Sequence, residues 1–580
     1  MVYQKGEIRA GRLSLFIFIL IFIIFISLFR LQVLKGSYYY ELSEKNRLRV
    51  LYLEPPRGKI LDRKGRTIAA SRLSFNCTVI PREAKSTIHE TIRVISPVLK
   101  VDELRLEESF KKSKAGAFQS VILAEDISLA EAITIEEMLD SMPGVLIETR
   151  PQREYPYRDS AAHLLGYTGP MTDQEKEAID PLEYRPTDWV GRDGVEKFYE
   201  NYLHGRAGGI QMEVNSRGRF MRSLGVREPR DGRNVELTVD AELQKFTQDL
   251  LRNKKGSVIV MELGEGGILA MNSAPSFDSN LFASTRGRKE VGRYLQAVHS
   301  PMMNRGIRGQ FPPGSIFKMI TALAGLENGK LKSTASFHCP GFLLVGGKRF
   351  NCWDHSGHGA QRLTEALAHS CDVYFYLTGI SAGSESIYSK AVEFGFSQKS
   401  GIDLPGEGIG FVPNREWKKK KKNQAWYDGD TANLAIGQGF LQVTPLQALV
   451  MTAALATNGD RLAPHVLHKI DGVKVSERHG VRVPMTPAYL EAVKKGLDAA
   501  VNTETGTGRL ARYPGVRVAG KTGTSQSGQP EDHAWFVGYA PAEKPKVAMV
   551  VLIEHGGHGG VAAASVAHEI FGFLKKENYL

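Results

Sequence analysis

The pattern of apolar and polar positions begins with one long uncharged run. Leu13 to Phe29 carries no charge, only Ser14 and Ser27 interrupt its apolar residues, and Arg12 and Arg30 bracket it. With Leu31, Val33 and Leu34 it reaches the ~20 residues needed to cross a bilayer core. Phe29-Arg30-Leu31 lacks the small residues of a signal-peptide cleavage site, so an uncleaved single-pass anchor is expected. Lys5, Arg9 and Arg12 favour a cytoplasmic N-terminus, and Arg30 and Lys35 on the far side weaken that vote. No second span follows, which puts everything after residue 35 on one side of the membrane.

Beyond the anchor the periodicities shorten. Arg57 to Gly65 reads as a turn-rich hairpin, followed by a strand at Phe75–Ile80. Ser120–Leu123 reads as a strand, and Asp126–Leu139 as an amphipathic helix. Gly191–Leu203 places Val195, Phe198, Tyr199 and Tyr202 on one helical face before Gly205, Gly208 and Gly209 break it. The character changes near Pro229–Gly232. Val235–Val239 alternates like a strand, Ala241–Leu251 reads as a helix, and Gly256–Met261 with Gly267–Met271 as a hairpin. Late strands at Ala534–Tyr539 and Val547–Ile553 and a last helix at Ala562–Leu574 complete an α+β pattern. Its antiparallel sheet would draw strands from both ends of the segment, with helices between. The expected division is a tail over 1–12, an anchor over 13–34, a β-rich domain over 35–232 and an α+β domain over 233–580. A chain of 580 residues is too long for one core, which agrees with at least two domains.

Charge changes the picture little. The net charge of +12 admits nucleic acid, anionic lipid or an acidic polymer as neighbour. The absence of helix-turn-helix, aromatic RNA-binding and zinc-finger patterns argues against nucleic acid. The densest basic run, Lys418–Lys422, is expected to be a solvated loop.

Chemistry is suggested by three short motifs in order. Ser315-Ile316-Phe317-Lys318 opens an apolar helix after Pro313 and Gly314, so Ser315 and Lys318 share one helical face. A serine hydroxyl needs an adjacent base, and a lysine serves when its pKa is lowered. Alone, such a pair reads better as a helix-cap serine with a surface lysine. Ser370-Cys371-Asp372 and Lys521-Thr522-Gly523-Thr524 follow within the same domain; the glycine suits close approach of a ligand backbone to an edge strand. This ordered trio is the signature of penicillin-recognising serine acyltransferases. No Gly-x-Ser-x-Gly elbow occurs to support a Ser-His-Asp triad.

The chain resembles the class B penicillin-binding proteins, and among them the elongation-specific branch, over nearly its whole length. The resemblance rests on the trio and on four further segments. Pro56-Arg57-Gly58 goes with Asp62-Arg63-Lys64-Gly65, and Arg153–Pro156 with Ala161–Gly166. Gly191–Tyr199 goes with Glu213-Val214 and Gly218-Arg219, and Ala435–Gly439 with Thr444–Gln447. Aspartate rather than asparagine at 372 points to the elongation type. The resemblance implies a penicillin-binding/transpeptidase fold on an elongated, dimerisation-like pedestal, cross-linking peptidoglycan stem peptides outside the bacterial cytoplasmic membrane. It implies Ser315 as nucleophile, Lys318 as base in acylation, Ser370 as proton relay and Lys521 as the cation holding the hydroxyls. Thr522 and Thr524 would contact the substrate carboxylate, with Gly523 between them. The N–H groups of Ser315 and Thr524 would form the oxyanion hole, and Asp372 would bind substrate or shape the loop. It further implies acylation by β-lactams, a RodA-type polymerase and an MreC-type scaffold as partners, and no organic cofactor. A D,D-carboxypeptidase or β-lactam hydrolase built on the same site stays open, as does a non-catalytic sensor or scaffold.

Cys339, Cys352 and Cys371, with His358 among them, resemble the region where some members of this branch bind a metal. Three thiolates and an imidazole suit a closed structural Zn²⁺ site. The alternatives are a Cys339–Cys352 disulfide or inert buried thiols. His338, Asp354 and His355 are expected on the surface, and His533 and His555 have no expected role.

Overall fold

The structure is a computed structural model that describes residues 2–40, 48–84, 87–112, 120–178, 184, 188–214, 220–284, 287–475, 480–526, 528 and 530–580. Gly218-Arg219 of the third pedestal segment lies outside them. The first helix, α1 (Val2–Phe29), runs on through a π-helical turn at Arg30–Leu34. Its apolar part, Leu15–Leu34, is 20 residues long and has no side chain buried against protein. An apolar helix without a protein partner and of that length is suited to a bilayer.

Two larger sheets build most of the pedestal. Strands β1 (Leu48–Leu53), β6 (Gly208–Val214) and β7 (Phe220–Arg227) form an antiparallel three-stranded sheet next to the anchor in sequence. The other sheet centres on β3 (Thr67–Val79), whose thirteen residues pair with β2 (Ile60–Leu61), β4 (Val121–Ile127) and β5 (Val145–Glu154). A separate small core closes its far end, with Cys77, Val79, Ile92, Ile95 and Leu123 buried together. Burial pushes the Cys77 thiol up to about 12, as expected of an inert core cysteine.

Three pedestal segments that carry the family resemblance, Pro56–Gly58, Arg153–Pro156 and Gly191–Tyr199, meet although they are far apart in sequence. Glu196 is fully buried and accepts from Arg57 Nε and Arg153 Nε, both at 2.6 Å, and from the Tyr155 hydroxyl at 3.2 Å. Arg153 Nη1 also donates to the Gly58 carbonyl at 2.7 Å. Burial works to raise the Glu196 carboxyl, but Arg153 and Arg57 outweigh it and hold the group below the ordinary glutamate range. A second set joins pedestal to catalytic domain. Arg66 bridges Asp62 and Asp240, each at 2.6 Å, and Asp240 caps α2 (Ala241–Leu250) by accepting from the Glu242 and Leu243 N–H groups.

The C-terminal domain is built on a five-stranded antiparallel sheet. Its strands are β9 (Gly256–Glu262), β10 (Ile268–Ala274), β11 (Ala519–Ser525), β12 (His533–Ala540) and β13 (Val547–Ile553), in the spatial order β10-β9-β13-β12-β11. Alternate residues serve opposite faces. Val258, Val260, Phe536, Met549 and Val551 pack with α2 and with the C-terminal helix Ala562–Lys576. Ile259, Met261, Trp535, Val537, Val550 and Leu552 pack with the helices of the active-site side, Lys318–Glu327 and Pro445–Ala456. With both faces covered, β13 is buried at every position.

Four sequence expectations are corrected. Strand β8 (Val235–Leu237), expected to start the catalytic sheet, joins the pedestal sheet between β2, in parallel, and Leu467–Ile470. Alternation shows which face is buried, not which sheet supplies the neighbours. The helix expected over Asp126–Leu139 spans Leu129–Glu136, because β4 continues to Ile127 and Ser128 with Glu131 forms a capping box. Gly191–Leu203 is a strand end followed by two short helices, Gly194–Phe198 and Glu200–Leu203. The lysine run is the end of the helix Arg415–Lys422, capped by the Asn414 side chain on the Trp417 N–H. Its composition reads as loop; the cap and the packing of Trp417 on Phe411 make it helical.

Candidate active site

Ser315 lies where a 3₁₀ turn, Gly314–Phe317, passes into α3 (Lys318–Glu327). Three residues per turn bring positions i and i+3 into line, so this turn aims Ser315 and Lys318 to one side. Gly314 enters it at φ +57°, and a Cβ there would lie 2.5 Å from the Thr524 carbonyl oxygen. Its N–H donates to the Gly437 carbonyl at 2.9 Å, and a Cβ on Gly437 would stand 2.1 Å from the Gly314 oxygen. Only glycine permits backbones to close on one another in this way. β11, the serine turn and the Ala435–Gly439 segment thus wall the site with main chain.

Lys318 is buried. Its Nζ donates to the Ser370 carbonyl at 2.8 Å, approaches Ser370 Oγ at 3.3 Å, and pairs with Asp372 Oδ1 at 2.7 Å. Ser370 holds a left-handed conformation, φ +56°, just before α4 (Asp372–Ala382). That turn directs its carbonyl and hydroxyl to the same ammonium. Asp372, whose role the sequence leaves open, is the ion partner of Lys318. Its Oδ2 accepts from the Trp353 N–H at 2.9 Å, and its own N–H points at Cys352 Sγ, 3.4 Å away.

Lys521 is also fully buried, on β11, and donates to the Thr522 carbonyl at 3.0 Å. Burial, then the charge of Lys318, pushes its ammonium well below the ordinary lysine range, with Asp372 opposing. The Thr522 hydroxyl donates to Thr507 Oγ1 at 2.8 Å, and Thr524 Oγ1 accepts from the Gly559 N–H at 3.2 Å. β11 is an edge strand, as expected. Gly523, however, makes room for the protein itself, since a Cβ there would stand 2.8 Å from the Pro313 carbonyl. Thr507, Gln438 and Gly559 border the site without having been singled out as site residues. Gln438 lies in a motif segment noted in the sequence, and its Nε2 comes within 3.5 Å of the Thr524 carbonyl.

The cysteine residues converge as well. Cys339, Cys352 and Cys371 are buried free thiols, and their sulfurs and one His358 nitrogen all lie within 4.8 Å of one another. His358 Nδ1 stands 3.7 Å from Cys339 Sγ and 3.5 Å from Cys352 Sγ, close to the ~3.5 Å edge between N and S ligands of a tetrahedral zinc with the usual bond lengths. The hydrogen bond between Cys371 and Cys352 lowers the Cys352 thiol and raises that of Cys371. A Cβ on Gly357 would meet the Cys339 carbonyl at 2.4 Å, so the loop carrying His358 needs glycine to cross the loop carrying Cys339. The donor set and its spacing fit a four-coordinate structural metal.

Against known families, residues 256–572 match the penicillin binding protein transpeptidase domain, and residues 52–237 the penicillin-binding protein dimerisation domain. A relative named peptidoglycan D,D-transpeptidase MrdA, from Acinetobacter baumannii, is 33% identical over 99% of this chain and 88% of its own. One of the same name from Haemophilus influenzae is 31% identical over 95% of this chain and 89% of its own. Among solved structures, the complex between penicillin-binding protein PBP2 and MreC from Helicobacter pylori superposes with a TM-score of 0.84 at 30% identity, covering 92% of this chain and all of that one. Pseudomonas aeruginosa PBP2 in complex with WCK 5153 gives 0.69 at 30% identity, covering 90% of this chain and 96% of that one.

Proposed function

The chain belongs to the penicillin-binding protein transpeptidases, and from that membership we propose a serine route for its work as a peptidoglycan D,D-transpeptidase. Ser315 Oγ attacks the penultimate D-alanine carbonyl of a stem pentapeptide while Lys318 takes its proton. Ser370 passes a proton to the departing D-alanine amine. An amine from a neighbouring stem peptide then displaces Ser315 and completes the cross-link. The oxyanion falls to the N–H groups of Ser315 and Thr524, and the substrate carboxylate to Thr522, Thr524 and the field of Lys521. The observation that carries this reading is one buried lysine nitrogen, Lys318 Nζ, on the serine's own turn and in reach of Ser370 Oγ, where its free-amine form is the base. Asp372 holds that nitrogen in place. Labelled penicillin, incubated with the protein and mapped, is expected to give a stable adduct on Ser315 that Ser315→Ala lacks. Rapid turnover of the drug would instead favour a hydrolase, and no adduct at all a scaffold.

The apolar helix α1 anchors the protein in the bacterial cytoplasmic membrane, with both domains on the outer side where peptidoglycan lies. An MreC-type scaffold on the pedestal is supported by the H. pylori complex, and a RodA-type polymerase by a related solved peptidoglycan synthase complex. The thiolates of Cys339, Cys352 and Cys371 with His358 Nδ1 would hold a structural Zn²⁺. Bound there, the metal supplies no chemistry to acyl transfer; it fixes the loop whose Cys352 faces the Asp372 N–H, and so the partner of Lys318. Metal analysis is expected to find one zinc per chain, lost in Cys352→Ser. A metal-free protein with a Cys339–Cys352 bridge would overturn this assignment.

A further inference from the structure

The lysine helix is better explained as part of the substrate path than as a solvated face. Trp417 packs between Phe411 and Phe440, with ring centroids 4.7 and 5.1 Å apart, and Lys422 Nζ lies 5.7 Å above the Phe440 ring. Phe440 follows Gln438 by two residues, and Gln438 reaches the Thr524 carbonyl of the active-site strand. The helix is therefore coupled, through one aromatic cluster, to the wall of the catalytic cleft. Two of its five lysines are neutralised: Lys418 by Asp430 at 2.6 Å, and Lys420 by Glu416 at 2.5 Å. Lys419, Lys421 and Lys422 are exposed and have no carboxylate partner among the described residues. Like charges crowded within a single turn repel one another, which offsets the favourable placing of cations at a helix C-terminus. Tyr427 and Phe440 add exposed aromatic faces beside them.

We propose that this basic, aromatic shelf binds the peptidoglycan polymer next to the reacting peptide, the three free lysines holding stem-peptide carboxylates and the rings packing on sugar. The inference rests on the transpeptidase reading above and extends it to the polymer outside the cleft. Charge complementarity selects the occupant: a strand with carboxylates repeated along its length matches three cations that have no internal partner. The position of the shelf, at the cleft wall, favours the substrate over a lipid surface.

The test uses the full chain in detergent, with uncross-linked glycan strands bearing intact stem pentapeptides as probe, and the same strands with their carboxylates amidated. In the triple variant Lys419→Gln, Lys421→Gln, Lys422→Gln, strand binding should weaken about tenfold at low salt, as expected for three screened ion pairs, and lose most of its salt dependence. Labelled-penicillin acylation should stay within about twofold of the parent, because the triple change leaves the cleft itself intact. Lys420→Gln, which removes an already paired cation, should have the smaller effect. Unchanged strand binding in the triple variant would overturn the proposal, as would equal binding of amidated strands. So would a triple variant that loses only its attachment to phosphatidylglycerol vesicles. Strands held through the lysines but never cross-linked would uphold the shelf and overturn the transpeptidase reading.

Discussion

The protein buries ionic groups in two places, and the two are built differently. In the pedestal, Glu196 is clamped by Arg57 and Arg153, with Glu200 accepting a further bond from Arg57 at 2.5 Å. Carboxylates and guanidinium groups balance there, and arginine keeps its charge at any ordinary pH. In the catalytic domain two buried lysines, Lys318 and Lys521, stand with one carboxylate, Asp372, which pairs with Lys318 alone. That set is unbalanced, and lysine is the cation that can give up its proton when buried. The first arrangement fixes a shape; the second leaves the buried Lys521 ammonium well below the ordinary lysine range. Both sets are buried, so the difference lies in the choice of cation rather than in depth of burial.

The largest expected effect breaks the catalytic half. Ser315→Ala should lower penicillin acylation by at least about 10⁴-fold with the fold intact, measured as adduct formation against circular dichroism. Lys318→Met should fall almost as far, and a variant that kept near-normal acylation would remove Lys318 from the proposed role. Next comes the pedestal. Glu196→Ala leaves the buried Arg153 guanidinium without its anion and Arg57 with Glu200 alone, and should destabilise by about 3–5 kcal/mol, read by chemical or thermal unfolding. Its carboxyl sits below the ordinary glutamate range, so its contribution is present at neutral pH and is lost as pH falls through the depressed value. The parent should therefore lose part of its advantage over Glu196→Ala in acid.

Lys521→Met sharpens the contrast, because its two effects have opposite sign. Activity should drop sharply while stability rises by about 1–2 kcal/mol, since an unpaired buried ammonium is replaced by an apolar chain of similar length. The lysine's folded pKa is lowered, so the unfolded chain binds a proton that the folded one does not. Folding of the parent is penalised at neutral pH, and the penalty fades as pH rises toward the ordinary lysine value. The gain of the variant should shrink accordingly. A Lys521→Met protein less stable than the parent at neutral pH would show that Lys521 is held by interactions equal to its desolvation.

Much of the catalytic half of this contrast is legible in the amino-acid order. The Ser-x-x-Lys, Ser-x-Asp and Lys-Thr-Gly trio points to the proposed catalytic set because the residues of each motif are near neighbours in sequence. The pedestal segments are recognisable by resemblance, but their meeting at Glu196 is not, since nothing local joins Arg57 to a residue 139 positions away. The strand Val235–Leu237 escapes correct assignment for the same reason. Pairing partners are a tertiary property, whereas Val547–Ile553 is readable because burial on both faces leaves an unbroken apolar run. Gly314 and Gly437 are intermediate: their spacing suggests turns, but only close approach of two backbones explains them.

The smallest effect separates distance from energy. Lys420 and Glu416 come within 2.5 Å, as close as any pair around Glu196, yet both side chains are exposed. Water screens the pair, and two long side chains must be ordered to form it. Lys420→Ala should therefore leave Tm unchanged within about 1 °C, whereas Glu196→Ala, at a similar separation, should lower it by many degrees. If the two variants moved Tm alike, the short contacts around Glu196 would carry no more than surface pairing, and the pedestal clamp would lose its claim to be the fixed counterpart of the catalytic lysines.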